Sequence, residues 1–337
     1  MSSSADCEQS SPVSSVGISI PQCLNARAAR LVDRLLVEPA LYRVELYRIG
    51  SAGGLVIDFG VKSSGGLEAG RMLARICLAD LAEVTLTTLP YGERAAPTVM
   101  VQTDHPVAAC MFSQYAGWQL QQGQFFGMGS GPMRAVAGCE DLFQQLNYRE
   151  QADILVGVVE SGKLPGGDVF EHIAERTGVA TDRIQLCVAR CSSLAGSFQV
   201  VARSVETALH KLHELGFDLT RVRSAVGTAP LPPVAADDLA AIGRTNDAVI
   251  YGGRVTLWVT GDDESLSDIG RRVPSAASNA YGDPFLKVFE QAGGDFYAID
   301  PLLFSPAEIT LLNIETGRCH TYGQIAPDIL ASSFGWL

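Results

Sequence analysis

The chain has 337 residues, of which 47% are hydrophobic and 18% are charged, with a formal net charge of -12 and a sequence pI of about 4.9. Such a composition supplies a large hydrophobic core and is too apolar for a disordered protein. The acidic balance and the absence of clustered lysine and arginine argue against nucleic-acid binding. Because the sequence has no run of about 18 apolar residues, no membrane-spanning segment is predicted.

In the first half of the chain, hydrophobic periodicity predicts alternating helices and strands. The serine-rich segment 1–19 lacks the basic start and apolar stretch of a signal peptide and is predicted to be disordered. The predicted helices that follow are 25–37, 67–81 and 107–120, and the predicted strands are 42–49, 55–59, 83–88 and 98–103. Segment 119–124 is too polar to be predicted as a strand, and a glycine-rich loop at 127–134 is predicted to enter a helix at Ala135.

The second half continues the same alternation. Its predicted strands are 154–159, 183–190, 222–228, 255–260 and 308–314, and its predicted helices are 168–176, 192–215, 237–243 and 284–291. Alternation at these lengths predicts an α/β fold, and the hairpin-like pairs in 42–59 and 309–322 predict mixed sheets flanked by helices. At about 150 residues per domain, we predict a two-domain subunit with an interdomain cleft. Its domains are placed at 20–150 and 151–337, with intertwining of the two allowed.

The cysteines and histidines indicate no metal centre. Eight cysteines are dispersed through apolar segments without a C-x-x-C pair, a pattern that predicts reduced thiols in a cytoplasmic protein. Cys187 and Cys191 fall on one predicted strand, but two thiols alone make a poor zinc site. His210 and His213 belong to no known zinc motif. No serine or cysteine lies in a recognisable nucleophile elbow, so covalent catalysis is not predicted.

The longest predicted helix, 192–215, carries an acid–base pair. Its apolar residues recur at spacings of three or four, the period of one helical face: Phe198, Val201, Val205, Leu209, Leu212 and Leu215. Ser197 is predicted to cap its start, and Gly216 to end it. Arg203 and Glu206 are three residues apart, which places a guanidinium beside a carboxylate. The helix follows a buried strand, a junction where many enzyme sites lie; the alternative is a surface ion pair of little energetic value.

Three further segments carry glycine-rich or polar patterns, and each has a structural alternative. Gly127, Gly129 and Gly131 lack the spacing of a dinucleotide fingerprint and fit either close approach of the backbone to a ligand or a tight turn. Segment 243–253 is dense in polar groups that can hold the edge of a heterocycle or act as turn and cap residues. The small-residue loop 274–284 is either functional or a solvated connector.

Several long motifs in the same order resemble one family, methenyltetrahydromethanopterin cyclohydrolase. The similarity extends from about residue 20 to the C-terminus, and the motifs that carry it are 103–118, 129–135, 243–253, 274–285 and 299–307. Met133 stands where the family has a smaller residue, and the alanines at 276–277 stand where more serines are expected. These departures concern the detail of the pterin contacts.

The resemblance implies both a reaction and its residues. The subunit is expected to be a two-domain α/β protein that binds a pterin in the cleft, to form a homotrimer, and to use no cofactor besides the tetrahydromethanopterin carrier, which is the substrate. The family's catalytic arginine and glutamate match Arg203 and Glu206. We expect Glu206 to act as the general base, and Arg203 to orient it and lower its pKa. The residues expected to bind the substrate are Ser130, Gly131, Arg244, Asn246, Asp247, Ser275 and Tyr281.

Two alternatives remain at this point. One is a non-catalytic protein that binds a pterin, and the other is a cyclohydrolase that acts on the folate carrier. The first differs in having no turnover, and the second in its preference for the carrier.

Overall fold

The computed structural model describes residues 23–50, 53–294 and 298–336. The segment 1–19, which is predicted to be disordered, lies outside these residues. The α/β prediction is confirmed, because two mixed six-stranded sheets are flanked by helices. Within the described ranges, no helix is long and apolar enough to cross a membrane.

The strands alternate with helices along the chain, as predicted. In order, the strands are β1 (Glu45–Ile49), β2 (Gly54–Asp58), β3 (Glu83–Tyr91), β4 (Arg94–Thr103), β5 (Trp118–Gln122), β6 (Phe125–Ser130), β7 (Leu155–Glu160), β8 (Ile184–Ala189), β9 (Val222–Pro230), β10 (Arg254–Val259), β11 (Glu308–Asn313) and β12 (Cys319–Gly323). The α-helices are α1 (Leu24–Val37), α2 (Pro39–Tyr42), α3 (Leu67–Cys77), α4 (Met133–Ala137), α5 (Asp141–Gln145), α6 (Gly167–Thr177), α7 (Leu194–Val201), α8 (Ser204–Glu214), α9 (Asp238–Gly252), α10 (Asp263–Gly270), α11 (Phe285–Gln291) and α12 (Pro327–Phe334). A π-helix, Val107–Gln114, precedes β5.

The first sheet is covered on both faces. Its strand order is β1-β2-β8-β7-β6-β5, with β2, β8 and β7 parallel and the outer strands antiparallel to their neighbours. Leu31 of α1 and Leu73 of α3 pack with Ile57 on one face, and Phe170 of α6 packs with Val56 on the other. Parallel strands need such cover on both sides, which is why β2 is apolar and buried at almost every position.

The second sheet buries one face. Its strand order is β12-β11-β10-β9-β4-β3, antiparallel except between β10 and β11. Leu257 and Ile309 belong to the same core cluster as Leu209 and Leu212 of α8. Along β10 and β11, buried residues alternate with half-buried residues, as expected for a sheet with one covered face. Each sheet takes strands from both sides of residue 150, and the position of a domain boundary stays a prediction.

The prediction of one helix over 192–215 is wrong. The segment forms α7 and α8 with a break at Ala202 and Arg203, whose ψ angles are 2° and 9°. Ser193 caps α7 in place of Ser197, by accepting a hydrogen bond from Gly196 N at 3.0 Å. The apolar residues of α7 and α8 keep their spacing of three or four across the break, because the backbone at these two residues stays close to helical. The break is therefore not visible in the periodicity of the sequence.

Three other segments also differ from their predictions. The segment 107–120 forms the π-helix and the start of β5, and the polar segment 119–124 lies in the β5–β6 hairpin. Gly127 and Gly129 lie on β6 and not in a loop. The prediction of a helix that ends at Gly243 is also wrong, because α9 continues to Gly252. In each case, pairing or packing with distant residues outweighs local composition.

Candidate active site

Polar residues from four elements meet where those elements begin or end. Arg203 immediately precedes α8, and Glu206 lies in its first turn. Glu160 is the last residue of β7, Ser130 the last of β6 and Gln114 the last of the π-helix. The paired strands β6 and β7 bring Ser130 opposite Val158, two residues before Glu160. The cluster therefore joins the ends of two inner strands of the first sheet to the helix that covers the second.

Arg203 is held by hydrogen bonds on every nitrogen of its guanidinium group. Its Nε donates to Gln199 Oε1 at 3.1 Å, and its Nη1 donates to the carbonyl oxygen of Gln114. Its Nη2 donates to Ser130 Oγ at 3.1 Å and to Glu160 Oε1 at 3.2 Å. With so many partners, the orientation of the group is fixed without a ligand.

Arg203 and Glu206 are both buried, with exposed fractions of 6% and 5%. The alternative of a solvent-exposed surface pair therefore does not hold. The closest approach between them joins Arg203 Nη1 to Glu206 Oε2 at 4.0 Å, which is beyond hydrogen-bond length. Within the described part of the chain, no donor hydrogen-bonds to the Glu206 carboxylate, so both of its oxygens can accept a hydrogen bond from a ligand or a water.

Burial raises the pKa of Glu206 to about 7. The positive charges of Arg203 and Arg134 oppose this rise, and the negative charge of Glu160 adds to it. The expectation that Arg203 lowers this pKa holds for the direction of its own effect but is wrong for the net shift, because desolvation of the carboxylate outweighs it. A carboxyl group with a pKa near neutrality is suited to exchange protons with a substrate.

A second buried arginine lies beside this pair. Arg134 is fully buried, pairs with Glu140 Oε1 at 2.6 Å, and stacks against the rings of Tyr115 and Phe143 at 5.0 and 5.2 Å. The Tyr115 ring stacks in turn on His210 at 5.0 Å. Burial and the charge of Glu206 raise the pKa of Tyr115 to about 12, so its hydroxyl keeps its proton at neutral pH. The wall of the site beside Glu206 is thus aromatic and neutral, with a fixed cation behind it.

Of the residues expected to bind substrate, Ser130 and Gly131 lie in this cluster. Ser130 Oγ accepts from Arg203 and donates to Val158 O at 3.2 Å. Gly131 has φ +83°, and its N–H donates to Ser113 O at 2.8 Å. A Cβ at Gly131 would lie 3.2 Å from Val158 N, so glycine allows the chain to pass close to β7.

The other expected binding residues lie along α9 and the loop that packs on it. Arg244 donates to Pro233 O at 3.1 Å, and Asn246 Nδ2 donates to Ile242 O at 2.9 Å. The Asp247 carboxylate accepts from Phe285 N and Ser333 Oγ, and burial raises its pKa to about 6.

Ser275 and Tyr281 belong to that packed loop. Ser275 Oγ donates to Ile250 O at 2.6 Å, and the Tyr281 ring packs against Tyr251 at 5.1 Å. Together with the bonds of Asp247, these contacts hold α9 to α11, α12 and the loop. Binding of a substrate by these residues stays a prediction.

Sequence reasoning missed Glu160, Gln199 and Arg134. Glu160 had a signal, since a carboxylate at the carboxyl end of a buried parallel strand lies where α/β proteins bind ligands. Gln199 precedes Arg203 by four residues, a spacing at which helical side chains are neighbours. Arg134 ends a glycine-rich segment in which the glycines are the more visible pattern. Among the residues that the structure describes, no group of three or more His, Cys, Asp or Glu side chains could hold a metal ion.

Comparison with known proteins identifies extensive similarity. The family model described as Cyclohydrolase (MCH) matches residues 23–334. A methenyltetrahydromethanopterin cyclohydrolase of Rhodopirellula baltica is 50% identical over 84% of this chain and 87% of its own length. Proteins of the same name from Xanthobacter autotrophicus and Methanococcoides burtonii are 44% and 40% identical. They cover 99% and 93% of this chain, and 100% and 98% of their own lengths.

Proposed function

Because the chain belongs to the Cyclohydrolase (MCH) family, we propose that it hydrolyses 5,10-methenyltetrahydromethanopterin to the 5-formyl form in one-carbon metabolism. The observation that carries the assignment of residues is the state of Glu206. It is a buried carboxyl with a pKa of about 7, without a hydrogen-bond donor in the described residues, 4.0 Å from a fixed guanidinium group.

The chemistry of the substrate decides what the protein has to supply. The methenyl carbon between N5 and N10 is part of a cationic amidinium group and is already electrophilic, so it needs no Lewis acid to polarise it. The reaction requires a positioned water and a group that accepts its proton. Glu206 meets the second requirement, because a base with a pKa near the working pH combines availability with proton affinity.

The steps balance with one water consumed and one proton released. The water oxygen bonds to the methenyl carbon as Glu206 takes a proton from the water. The bond from this carbon to N10 then breaks, its electron pair stays on N10, and N10 takes a proton back from Glu206. The remaining hydroxyl proton leaves to solvent as the formyl carbonyl forms on N5.

Glu206 and Arg203 have different roles in these reaction steps. A negative Glu206 favours the bound cation and is itself neutralised when it takes the proton. The guanidinium group of Arg203 forms the surface against which the water and the developing oxygen lie, because its hydrogen bonds to Gln199, Gln114 and Ser130 hold its plane. We assign Ser130 and Gly131 as contacts of the pterin beside Arg203.

Other features of the proposal rest on the family alone. We assign the pterin to an interdomain cleft, with Arg244, Asn246, Asp247, Ser275 and Tyr281 as further contacts. A homotrimer, a cytoplasmic location and the absence of any cofactor besides the carrier substrate belong to the same proposal. Relatives whose names specify tetrahydromethanopterin favour that carrier over folate. A buried carboxyl that accepts no hydrogen bond from the described residues favours turnover over simple binding.

Substitution of Glu206 by glutamine tests the assignment. We expect Glu206→Gln to lower kcat by at least about 100-fold, the usual contribution of a general base, while the methenyl substrate still binds. Loss of the methenyl absorbance measures kcat, and equilibrium dialysis measures binding. Glu214→Gln is the matched control, because Glu214 lies on the same helix with its side chain 42% exposed. Near-normal turnover of Glu206→Gln would remove Glu206 from the mechanism.

A further inference from the structure

Arg203 contacts two carboxylates, and the one that it binds more closely is Glu160. The contact between Arg203 Nη2 and Glu160 Oε1 is 3.2 Å, against 4.0 Å between Nη1 and Glu206. Glu160 also accepts from Gln199 Nε2 at 3.1 Å and from the Cys191 thiol at 3.6 Å. Its side chain is 19% exposed, and the family reaction does not itself require a second carboxylate.

The hydrogen bonds of Arg203 are therefore directed away from Glu206. One hydrogen bond from Arg203 Nη2 goes to Glu160. Gln199 connects Arg203 with Glu160, because it accepts from Arg203 Nε and donates to Glu160. If Arg203 instead formed a bidentate pair with Glu206, the carboxylate oxygens would be occupied and the base would be weaker. Glu160 prevents this arrangement by holding one end of the guanidinium group.

We propose that Glu160 is a positioning residue for hydrolysis, which holds Arg203 out of hydrogen-bond contact with Glu206 so that the Glu206 carboxylate remains free to accept a proton from water. This inference rests on the proposed function. Glu160 acts through Arg203 and does not contact the reacting atoms.

The charges around Glu206 agree with this role. The groups that face it are Arg203 at the start of its own helix, Arg134 of α4, Glu160 of β7, and Cys110 and Tyr115 of the π-helical segment. Burial raises the pKa of Cys110 and of Tyr115, so both are neutral at neutral pH. Arg203 and Arg134 thus lower the pKa of Glu206, and Glu160 is the one charged group among those named that raises it.

Glu160→Gln removes the charge and keeps the size and an accepting oxygen. Two effects then lower the pKa of Glu206: one neighbouring negative charge is lost, and Arg203 is held less firmly because a neutral amide oxygen is a weaker acceptor than a carboxylate. We expect the acidic limb of the kcat profile to move down by about one pH unit, the scale of one lost charge in a buried site. The plateau kcat is expected to fall roughly 3- to 10-fold, because Glu206 becomes a weaker base.

Two further variants separate this role from a structural one. Glu160→Asp keeps the charge but shortens the reach to Arg203, so kcat should fall and the acidic limb should move down by less than in Glu160→Gln. Asp263→Asn is the matched control, since Asp263 is an ion-paired carboxylate with 15% side-chain exposure at the start of α10. Its profile should match that of the wild type.

A direct titration avoids dependence on turnover. Carbon-13 NMR of protein labelled at the glutamate carboxyl, with the Glu206 signal assigned by its absence in Glu206→Gln, should show Glu206 titrating at lower pH in Glu160→Gln than in the wild type. An unchanged titration and an unchanged acidic limb would overturn the role of Glu160. Should Glu160→Gln fail to fold, an unchanged acidic limb together with an unchanged kcat in Glu160→Asp would overturn it. If wild-type protein does not hydrolyse the substrate, the proposed function fails instead, and the titration still decides the inference.

Discussion

The site that supports catalysis should also destabilise the fold at neutral pH. Burial raises the pKa of Glu206 from 4.5 to about 7, so the folded state favours its protonated form. The sign follows from linkage: below about pH 4.5 Glu206 is protonated in both folded and unfolded states and has no net effect. As the pH rises from about 4.5 to about 7, the unfolded state releases the proton while the folded state still holds it. The free energy of unfolding therefore falls over this range.

The magnitude follows from the size of the shift. Each pKa unit corresponds to about 1.4 kcal/mol, so a shift from 4.5 to about 7 makes Glu206 cost roughly 3 kcal/mol of folding free energy above pH 7. Glutamine has almost the same shape and no charge. We therefore expect Glu206→Gln to be more stable than the wild type by up to about 3 kcal/mol at about pH 8, and by little at about pH 5.

Urea unfolding followed by circular dichroism measures this difference at several pH values and one protein concentration. The increase in stability should accompany the loss of turnover, which is the trade-off expected where a charge is kept buried for function. Equal stability of the two proteins at about pH 8 would refute the reasoning, because it would mean that Glu206 is not desolvated. A difference that is independent of pH would refute it as well.

Two further predictions concern the framework around the site. A Cβ at Gly227 of β9 would lie 2.5 Å from the hydroxyl oxygen of the first α8 residue, so Gly227→Ala should shift α8, destabilise by about 1–3 kcal/mol and lower kcat by roughly 10- to 100-fold. Urea unfolding and the hydrolysis assay measure both effects, and Gly167→Ala is the control because its Cβ would meet nothing within 4 Å. Glu150→Ala should destabilise by about 2–4 kcal/mol in urea, since its carboxylate accepts from Leu24 N at 2.7 Å and Asn25 N at 3.0 Å at the start of α1. Wild-type stability would contradict either prediction.

Secondary structure is predictable where one local pattern dominates. The segment 25–37 shows the 3.6-residue period of a helix, and the segment 154–159 is a continuous apolar run. The structure has α1 and β7 at these places. The hairpin of β5 and β6 is hard to predict, because β5 has the apolar–polar alternation of a strand over only four residues, 118–121. Strand β6 is stabilised by pairing with β7, which is distant in sequence.

The site is predictable only in part for a similar reason. Arg203 and Glu206 are near in sequence, so helical spacing alone predicts that they are neighbours. Glu160 lies 43 residues before Arg203 and reaches it through the fold. The predicted direction of the Glu206 pKa shift is wrong, because the sequence contains the charge of Arg203 but not the extent of burial.

Hydrolysis of the methenyl carrier by the wild-type protein is the decisive test of the proposed function. The rate at which the methenyl absorbance is lost should be compared with and without protein, side by side for the tetrahydromethanopterin and tetrahydrofolate carriers. We expect acceleration far above the spontaneous rate for the tetrahydromethanopterin carrier and little for the folate carrier. Binding of the carrier without acceleration would contradict an enzymatic role, and faster hydrolysis of the folate carrier would contradict the proposed substrate.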